Sequence, residues 1–382
     1  MADYVKVRGV AAADIVKIDG VAVADVVKCE GATKPASGAT LWMAVAQHGA
    51  VGYASNSDRT AWTSYDNMED GAGTPNGLDI AYGKDSNGDG IFICTRDSSP
   101  REIQVSGTDP TSAGDWTVIN LEGVTGVDQY CIRWGPASDG ATAGTWVAIG
   151  QQSGDKLYRS TDGGGSFSSV DLSGLSGHTS TGITGLACSD TAGTWAFAQG
   201  NRFYISTDNA ASWAVSTPWS TDTPVHIFGI CFTNSSWVIA YKRGSSALRF
   251  RSCAASDITD WGSEYDASGN AFIPDTIPPK RVSMAAANGR VCLIGTSDDC
   301  FTYFDVSGKV ISNIGEDNKA TADDINGLAT DGTTWIGVAE DGDVWESSDG
   351  ASWSLIVNGH TFPDGHTNDD WESVAPNVFL PL

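Results

Sequence analysis

Short apolar runs of ordinary strand length, bounded by Gly, Asn, Asp and Ser, recur along most of this chain. One set reads LWMAVAQ from Leu41, GIFICTR from Gly90, TWVAIGQ from Thr145, TWAFAQG from Thr194, SWVIAYK from Ser236, RVCLIGT from Arg290 and TWIGVAE from Thr334. Ahead of most of these lies a second kind of run: ITGLACSD from Ile183, IFGICFTN from Ile227, RVSMAAAN from Arg281 and INGLATDG from Ile325. Behind them come LYRSTD, FYISTD and VWESSD, and then a run that opens on an aromatic: Trp62, Trp116, Phe167, Trp213, Trp261 or Trp353. Runs of this length between turn residues read as β-strands.

Four such strands per unit, repeated at the spacing of about 40–50 residues expected for one blade, make a radial repeat. The second-strand set has seven copies, so the expected fold is all-β, a seven-bladed β-propeller. Leu41 opens directly on a second strand, with no first strand before it. The missing piece lies at the far end, where WESVAPNVF at Trp371–Phe379 aligns its SVAPN with GLATD and GLACS. The C-terminal strand is therefore expected to complete the first blade and remove the free edge at the seam. Residues 39–382 would form this one domain, and residues 1–38 a separate arm. The sixth unit is the weakest copy, with FTYFDVSGKVISNI in place of the repeated turn.

That repeated turn reads STDGGGSF at Ser160, STDNAASW at Ser206 and SSDGASW at Ser347. Ser and Asp side chains hold a turn by bonding nearby backbone, Gly accepts positive φ, and the closing aromatic is free to pack between blades. The pattern resembles the Asp-box, or BNR, repeat of sialidases and other propellers. Ser160, Asp162, Gly164, Ser166 and Phe167 match it almost fully. Ser206, Asp208, Ser212 and Trp213 match with Ala210 in the Gly place, and Ser347, Asp349, Ser352 and Trp353 match with one residue fewer. SNSDRTAW at Ser55 is a degraded copy. The resemblance implies a structural turn on the outer rim, away from the axis where ligands of that family sit.

Composition narrows the partners. The formal net charge is −25 over 382 residues, which repels phosphate backbones and anionic lipid surfaces, so neither nucleic acid nor membrane is expected as a partner. No apolar run has the length of a membrane span, and the N-terminus has no basic start or apolar middle of a signal peptide. The eight cysteines form no CxxC pair, and several sit inside apolar runs, as buried free thiols would.

Candidate chemistry is sparse. KDSNGDGIF places Asp85, Asn87 and Asp89 as the first half of a calcium loop, yet Arg96 stands where the closing carboxylate belongs. The alternative is a polar hairpin between two strands, so a cofactor is not expected, with calcium as the one exception. GHTFPDGHTNDDW gathers His360, His366, Asp364, Asp369 and Asp370, which reads as a solvated connector or a metal site. The chain has no GxSxG, P-loop or dinucleotide fingerprint, and no arginine falls in a sialidase signature; no catalytic residue is assigned.

The N-terminal arm carries a shorter repeat: VKVRGVAAADI, VKIDGVAVADV and VKCEGATK, with Lys6, Lys17 and Lys28, and Gly9, Gly20 and Gly31, at a fixed step. Alternating apolar residues around a charged residue and Gly signal hairpins, clearest at VKIDGVAV. Units this small cannot bury their apolar faces alone and need a partner. The arm resembles segments at the starts of tailed-bacteriophage virion structural proteins. The resemblance implies a non-enzymatic virion protein, made in the host cytoplasm. Residues 1–38 would dock to themselves or to other virion proteins, and the propeller would serve decoration, a tail fibre or attachment to host-surface glycan. The alternatives are a sialidase-like glycan hydrolase and a cytosolic assembly-factor propeller.

Overall fold

The chain divides into two compact units, Met1–Ser37 and Gly38–Leu382. The computed structural model describes residues 17–18, 21–22, 40–66, 76–97, 102–121, 129–150, 156–176, 183–216, 226–242, 248–266, 283–294, 300–319, 324–362 and 370–380. In the first unit Lys17–Ile18 pairs antiparallel with Val21–Ala22, Ile18 opposite Val21, the pairing expected of a hairpin at VKIDGVAV. Lys6, Gly9, Gly20, Lys28 and Gly31 lie outside the described residues.

The second unit is built from seven four-stranded antiparallel sheets. Blade 2 runs Asn76–Lys84, Gly90–Asp97, Glu102–Ser106 and Trp116–Asn120; blade 3 runs Gln129–Gly135, Thr145–Gly150, Lys156–Ser160 and Ser168–Asp171. Blade 4 comprises Ile183–Cys188, Trp195–Gln199, Arg202–Ser206 and Ala214–Ser216; blade 5 comprises His226–Thr233, Ser236–Lys242, Leu248–Ala254 and Tyr265–Asp266. Blade 6 has Met284–Ala287, Arg290–Ile294, Cys300–Ser307 and Val310–Asn318, and blade 7 has Ile325–Thr330, Trp335–Ala339, Val344–Ser347 and Ser354–Val357. Blade 1 takes Leu41–Ala46, Ala50–Ser55 and Asp58–Asp66 from the start of the domain and its inner strand, Trp371–Pro376, from the end. The register sets Trp42 opposite Pro376 and Val45 opposite Ser373, so the expected closure is present. The inner strands touch one another in ring order, that of blade 1 resting on both blade 7 and blade 2.

The repeat positions explain the packing. Trp42, Trp146, Trp195 and Trp237 of the second strands are fully buried. The aromatic that opens an outer strand reaches back to the preceding blade: Trp353 of blade 7 stacks on Phe301 of blade 6 with centroids 3.8 Å apart, and Trp261 of blade 5 meets Phe203 of blade 4 edge-on at 5.2 Å. Sheets covered on both faces by neighbours account for the near-continuous apolar runs in the sequence. Blade 6 departs from the repeat because its third and outer strands are joined by the two-residue turn Gly308–Lys309, which leaves no room for the Ser-x-Asp turn. The seven cysteines among the described residues are buried and form no disulfide, and burial pushes the thiols of Cys94 and Cys253 up to about 12.

The seam is an aromatic knot. Trp371, fully buried, lies against Trp62 at 5.6 Å, Phe362 at 4.7 Å and the His360 ring at 5.5 Å. His360 Nε2 shares a 2.7 Å hydrogen bond with Ser64 Oγ. Burial lowers its pKa below the ordinary 6.5. Below that pH the unfolded chain binds more protons than the folded one, so this group's contribution to stability is full above about 6.5 and shrinks as pH falls. Urea midpoints measured at neutral pH and at mildly acidic pH should drop more for the natural protein than for His360→Gln; equal drops would contradict this. Among the described residues no helix is long and apolar enough to cross a membrane.

Candidate functional site

Among the described residues six inner strands skip one residue in their pairing, leaving Leu78, Tyr130, Thr184, Phe228, Asn326 and Glu372 bulged. A bulge at the same place in successive blades twists each inner strand as it passes the axis. The residue after the bulge is small in most blades because neighbouring inner strands approach closely there. A Cβ on Gly185 would come 2.7 Å from Ile230 Cγ2, and one on Gly327 would come 2.7 Å from Ser373 Cα.

Polar bonds link the blades at this level. Ser283 Oγ accepts from the Leu328 N–H at 3.0 Å, and Asn326 Nδ2 donates to the Trp371 carbonyl at 3.0 Å. Blade 2 places Asp79 where the other blades have Gly, Ser or Cys. Its carboxylate, 1 % exposed, accepts from the Ile132 N–H at 2.9 Å, Arg133 Nη1 at 2.7 Å and Ser373 Oγ at 2.7 Å. One side chain thus joins blades 1, 2 and 3. Arg133 is equally singular: two residues past the small position the other blades carry Ala81, Ala187, Cys231, Ala285, Ala329 and Ala375. The pair sits beside an axial cavity of ≈ 50 Å³. At about 10–15 Å³ per water, that holds a few waters and no sugar.

One end of the axis is closed by the chain itself. Asn377 Oδ1 accepts from the N–H groups of Thr40 (2.8 Å) and Leu41 (3.0 Å), and its Nδ2 donates to Thr40 Oγ1 at 2.8 Å. Beyond this clasp Val378 packs on the core between blades 7 and 1, Phe379 on the cores of blades 2 to 4, and Leu380 on that between blades 6 and 7. The Phe379 ring meets Trp134 edge-on at 4.6 Å. Four consecutive residues therefore span the opening. A chain ending at Pro376 should keep the closed ring yet lose the clasp and these three contacts. We expect its thermal unfolding to come several degrees lower, and an unchanged melting point would contradict the contribution of the tail.

The repeated turns are built alike. In blade 3 Ser160 Oγ accepts from the Gly164 N–H (2.9 Å) and donates to Asp162 Oδ1 (2.7 Å), while Ser166 Oγ donates to Asp162 Oδ2 (2.6 Å). Ser206, Asp208, Ala210 and Ser212 repeat these bonds in blade 4. Blade 7 keeps Ser347 and Asp349, with Ser352 N–H donating to Asp349 Oδ1 at 2.9 Å. Its shorter turn needs one left-handed residue, Gly350, where blade 3 uses Gly163 and Gly164 and blade 4 uses Asn209 and Ala210. Burial pushes the three carboxyls up, but the hydrogen bonds outweigh it and hold Asp162, Asp208 and Asp349 below the ordinary 3.8. Phe167, Trp213 and Trp353 close the turns against the preceding blade. At Gly163, φ is +74° and a Cβ would sit 2.1 Å from the Ser86 nitrogen. Gly163→Ala should therefore cost at least about 2 kcal/mol of unfolding free energy, read by urea denaturation; a loss within the scatter of surface substitutions would contradict it.

The calcium-like loop joins the inner and second strands of blade 2, the hairpin position. Asp85 Oδ1 accepts from the N–H groups of Asn87 at 2.8 Å and Asp89 at 2.9 Å, and Asn87 Nδ2 donates to Asp85 Oδ2 at 3.2 Å. The Asp85 carboxylate is thus engaged in its own loop. Among the described residues no group of three or more His, Cys, Asp or Glu is placed to hold a metal. Of the His–Asp connector, His360 is in the seam, Asp370 accepts from Gln47 Nε2 at 2.8 Å, and Asp364, His366 and Asp369 lie outside the described residues. Gln47 Nε2 also donates to Glu372 Oε1 at 3.1 Å.

Sequence reading assigned no site role to Asp79, Arg133 or Gln47, and none to the tail beyond the closing strand. Aligning the inner strands position by position exposes the first pair, since a charge stands where six other blades have small residues.

These features define a seven-bladed β-propeller closed by its own C-terminal strand. No protein-family model matches the chain, and no curated protein sequence matches it. Among solved structures, an ancestral GH74 enzyme aligns with a TM-score of 0.55 at 12 % identity, over 85 % of this chain and 45 % of its own. Raptor of Chaetomium thermophilum aligns at 0.53 and 9 % identity over 86 % of this chain and 26 % of its own. YCF48 from Cyanidioschyzon merolae gives 0.49 and 14 % identity, over 74 % of this chain and 84 % of its own. At these identities the likeness to the first two is one of fold.

Proposed function

We propose that this chain is a non-enzymatic virion structural protein of a tailed phage. Residues 1–38 anchor it in the particle, and the propeller is displayed for decoration or for attachment to host-surface glycan. The observation that supports this reading is the division of the chain. A small unit with a hairpin pairing at Lys17–Ile18 and Val21–Ala22 precedes a propeller that closes with its own last strand. Hairpin-sized repeats need a further surface to bury their apolar faces, and self-association or strand addition to another virion protein supplies one. The net charge of −25 disfavours nucleic acid and anionic lipid as that surface. The test is incorporation: phage encoding a chain that lacks residues 1–38 should assemble particles without the propeller. Incorporation at the normal level would sink the reading.

One observation favours a second reading, a glycan hydrolase. Gln47 bridges the carboxylates of Asp370 and Glu372 through a single amide nitrogen, and glycoside hydrolysis uses two carboxyl groups flanking one bond. Reducing-sugar release from host-envelope polysaccharide, abolished by Glu372→Gln, would establish it, and no release would leave the non-enzymatic reading standing.

A further inference from the structure

We infer that the groove between blades 4 and 5 is a binding site for a neutral oligosaccharide. The groove opens on the face that carries the Ser-x-Asp turns and encloses ≈ 580 Å³, within the range of about 300–1,000 Å³ usual for ligand sites.

Its origin lies in a broken repeat. In blades 3 and 4 the turn between the third and outer strands leans on the preceding blade. Gly163 lies over Asp85 and Ser86 of blade 2, and the Asn209 side chain accepts from the Ser138 N–H of blade 3 at 2.8 Å. Blade 5 has no such turn. Its connector folds back on its own hairpin instead, the Ala255 N–H donating to the Ser235 carbonyl at 2.9 Å. The blade 4 hairpin around Ser189–Thr194 is left uncovered, and the groove is the space the missing turn would have filled.

The lining selects the ligand. Thr194, Thr207, Ser235 and Ser256 line this space, and none of their hydroxyls makes a side-chain hydrogen bond to another described residue. Among the described residues Asp190, exposed, supplies the single carboxylate of the lining, and no Lys or Arg lines the groove. Ile205, 8 % exposed, gives a small apolar floor. A ligand that satisfies this set offers many hydroxyls, some C–H surface and no negative charge. An anionic polymer would meet no cation here and a net charge of −25. A sugar hydroxyl both donates and accepts, so it pairs with Ser, Thr and carboxylate alike.

The inference rests, for its biological sense, on the attachment half of the proposed function, while its chemistry stands on the groove. The test titrates the full chain with neutral glucose, galactose and N-acetylglucosamine oligosaccharides, read by saturation-transfer NMR and calorimetry. Thr207→Phe and Ser256→Tyr fill the groove from exposed positions, and unchanged thermal unfolding shows that they leave the fold intact. Saturable binding to at least one neutral probe is expected, weakened about tenfold or more by either filling variant and by Asp190→Ala. Binding to none of the probes, affinity unchanged by both filling variants, or a preference for sialylated or sulfated probes would overturn the proposal. Particle incorporation of the same variants separates the two readings. Glycan binding can fail while incorporation stays normal, which sinks the groove alone, whereas normal incorporation without residues 1–38 sinks the virion reading alone.

Discussion

A chain ending at Asp370 is expected to lose the cooperative unfolding of the whole propeller, not of one blade. The missing strand is the inner strand of blade 1, paired to Leu41–Ala46 along its length. Its loss uncovers the backbone edge of that strand beside the axis. It also removes Trp371, fully buried among Trp62, His360 and Phe362, and truncating a buried Trp to Ala alone costs about 3–5 kcal/mol. Ser373 and its bond to Asp79 go with it, so blade 2 loses a contact as well. Urea unfolding followed by tryptophan fluorescence should show a lower midpoint and a shallower slope, since slope follows the surface exposed. The shortened chain should also aggregate. A transition as steep as that of the natural chain would show that the ring does not depend on this closure.

Asp79→Ala carries the second large effect. It leaves Arg133 in a nearly buried place, 16 % exposed, without the carboxylate that accepts from it at 2.7 Å. Breaking a buried ion pair from one side costs about 3–5 kcal/mol, most of it from the charge left unpaired. The other blades suggest the control. They carry a small residue in place of Asp79 and Ala or Cys in place of Arg133. The double variant Asp79→Ser with Arg133→Ala should regain most of the loss, because replacing both partners removes the stranded charge. Denaturation midpoints of the natural chain, the single and the double variant decide it. A single variant as mild as a surface substitution would refute the account, and so would a double variant no better than the single.

The parts of the fold that were legible in the sequence are those in which each blade repeats the same local answer. Second-strand tryptophans, Ser-x-Asp turns and the outer-strand aromatics all bury or bond against the same kind of neighbour, so their pattern survives as spacing. The closure was legible because SVAPN keeps the inner-strand phase while standing some three hundred residues from its partner Leu41–Ala46. What could not be read depends on which blades meet. Asp79 looks like one acid among 47 until its blade stands between Ser373 and Arg133. Asn377 to Leu380 look like a short apolar end until the ring gives them an axis to span. The groove between blades 4 and 5 is an absence in a repeat, and it becomes a space only when the neighbouring hairpin is seen uncovered. The spacing of Asp85, Asn87 and Asp89 was legible as well, and in the hairpin the Asp85 carboxylate accepts from the N–H groups of its own loop.

The central claim is that the propeller stands alone while the arm joins it to something else. Solution mass by light scattering, for the full chain and for a chain beginning at Ala39, tests this most directly. The account predicts a full chain that associates and a shortened chain that is a stable monomer with an unchanged melting point. Two equally stable monomers would contradict it, because an arm satisfied within its own molecule is no anchor.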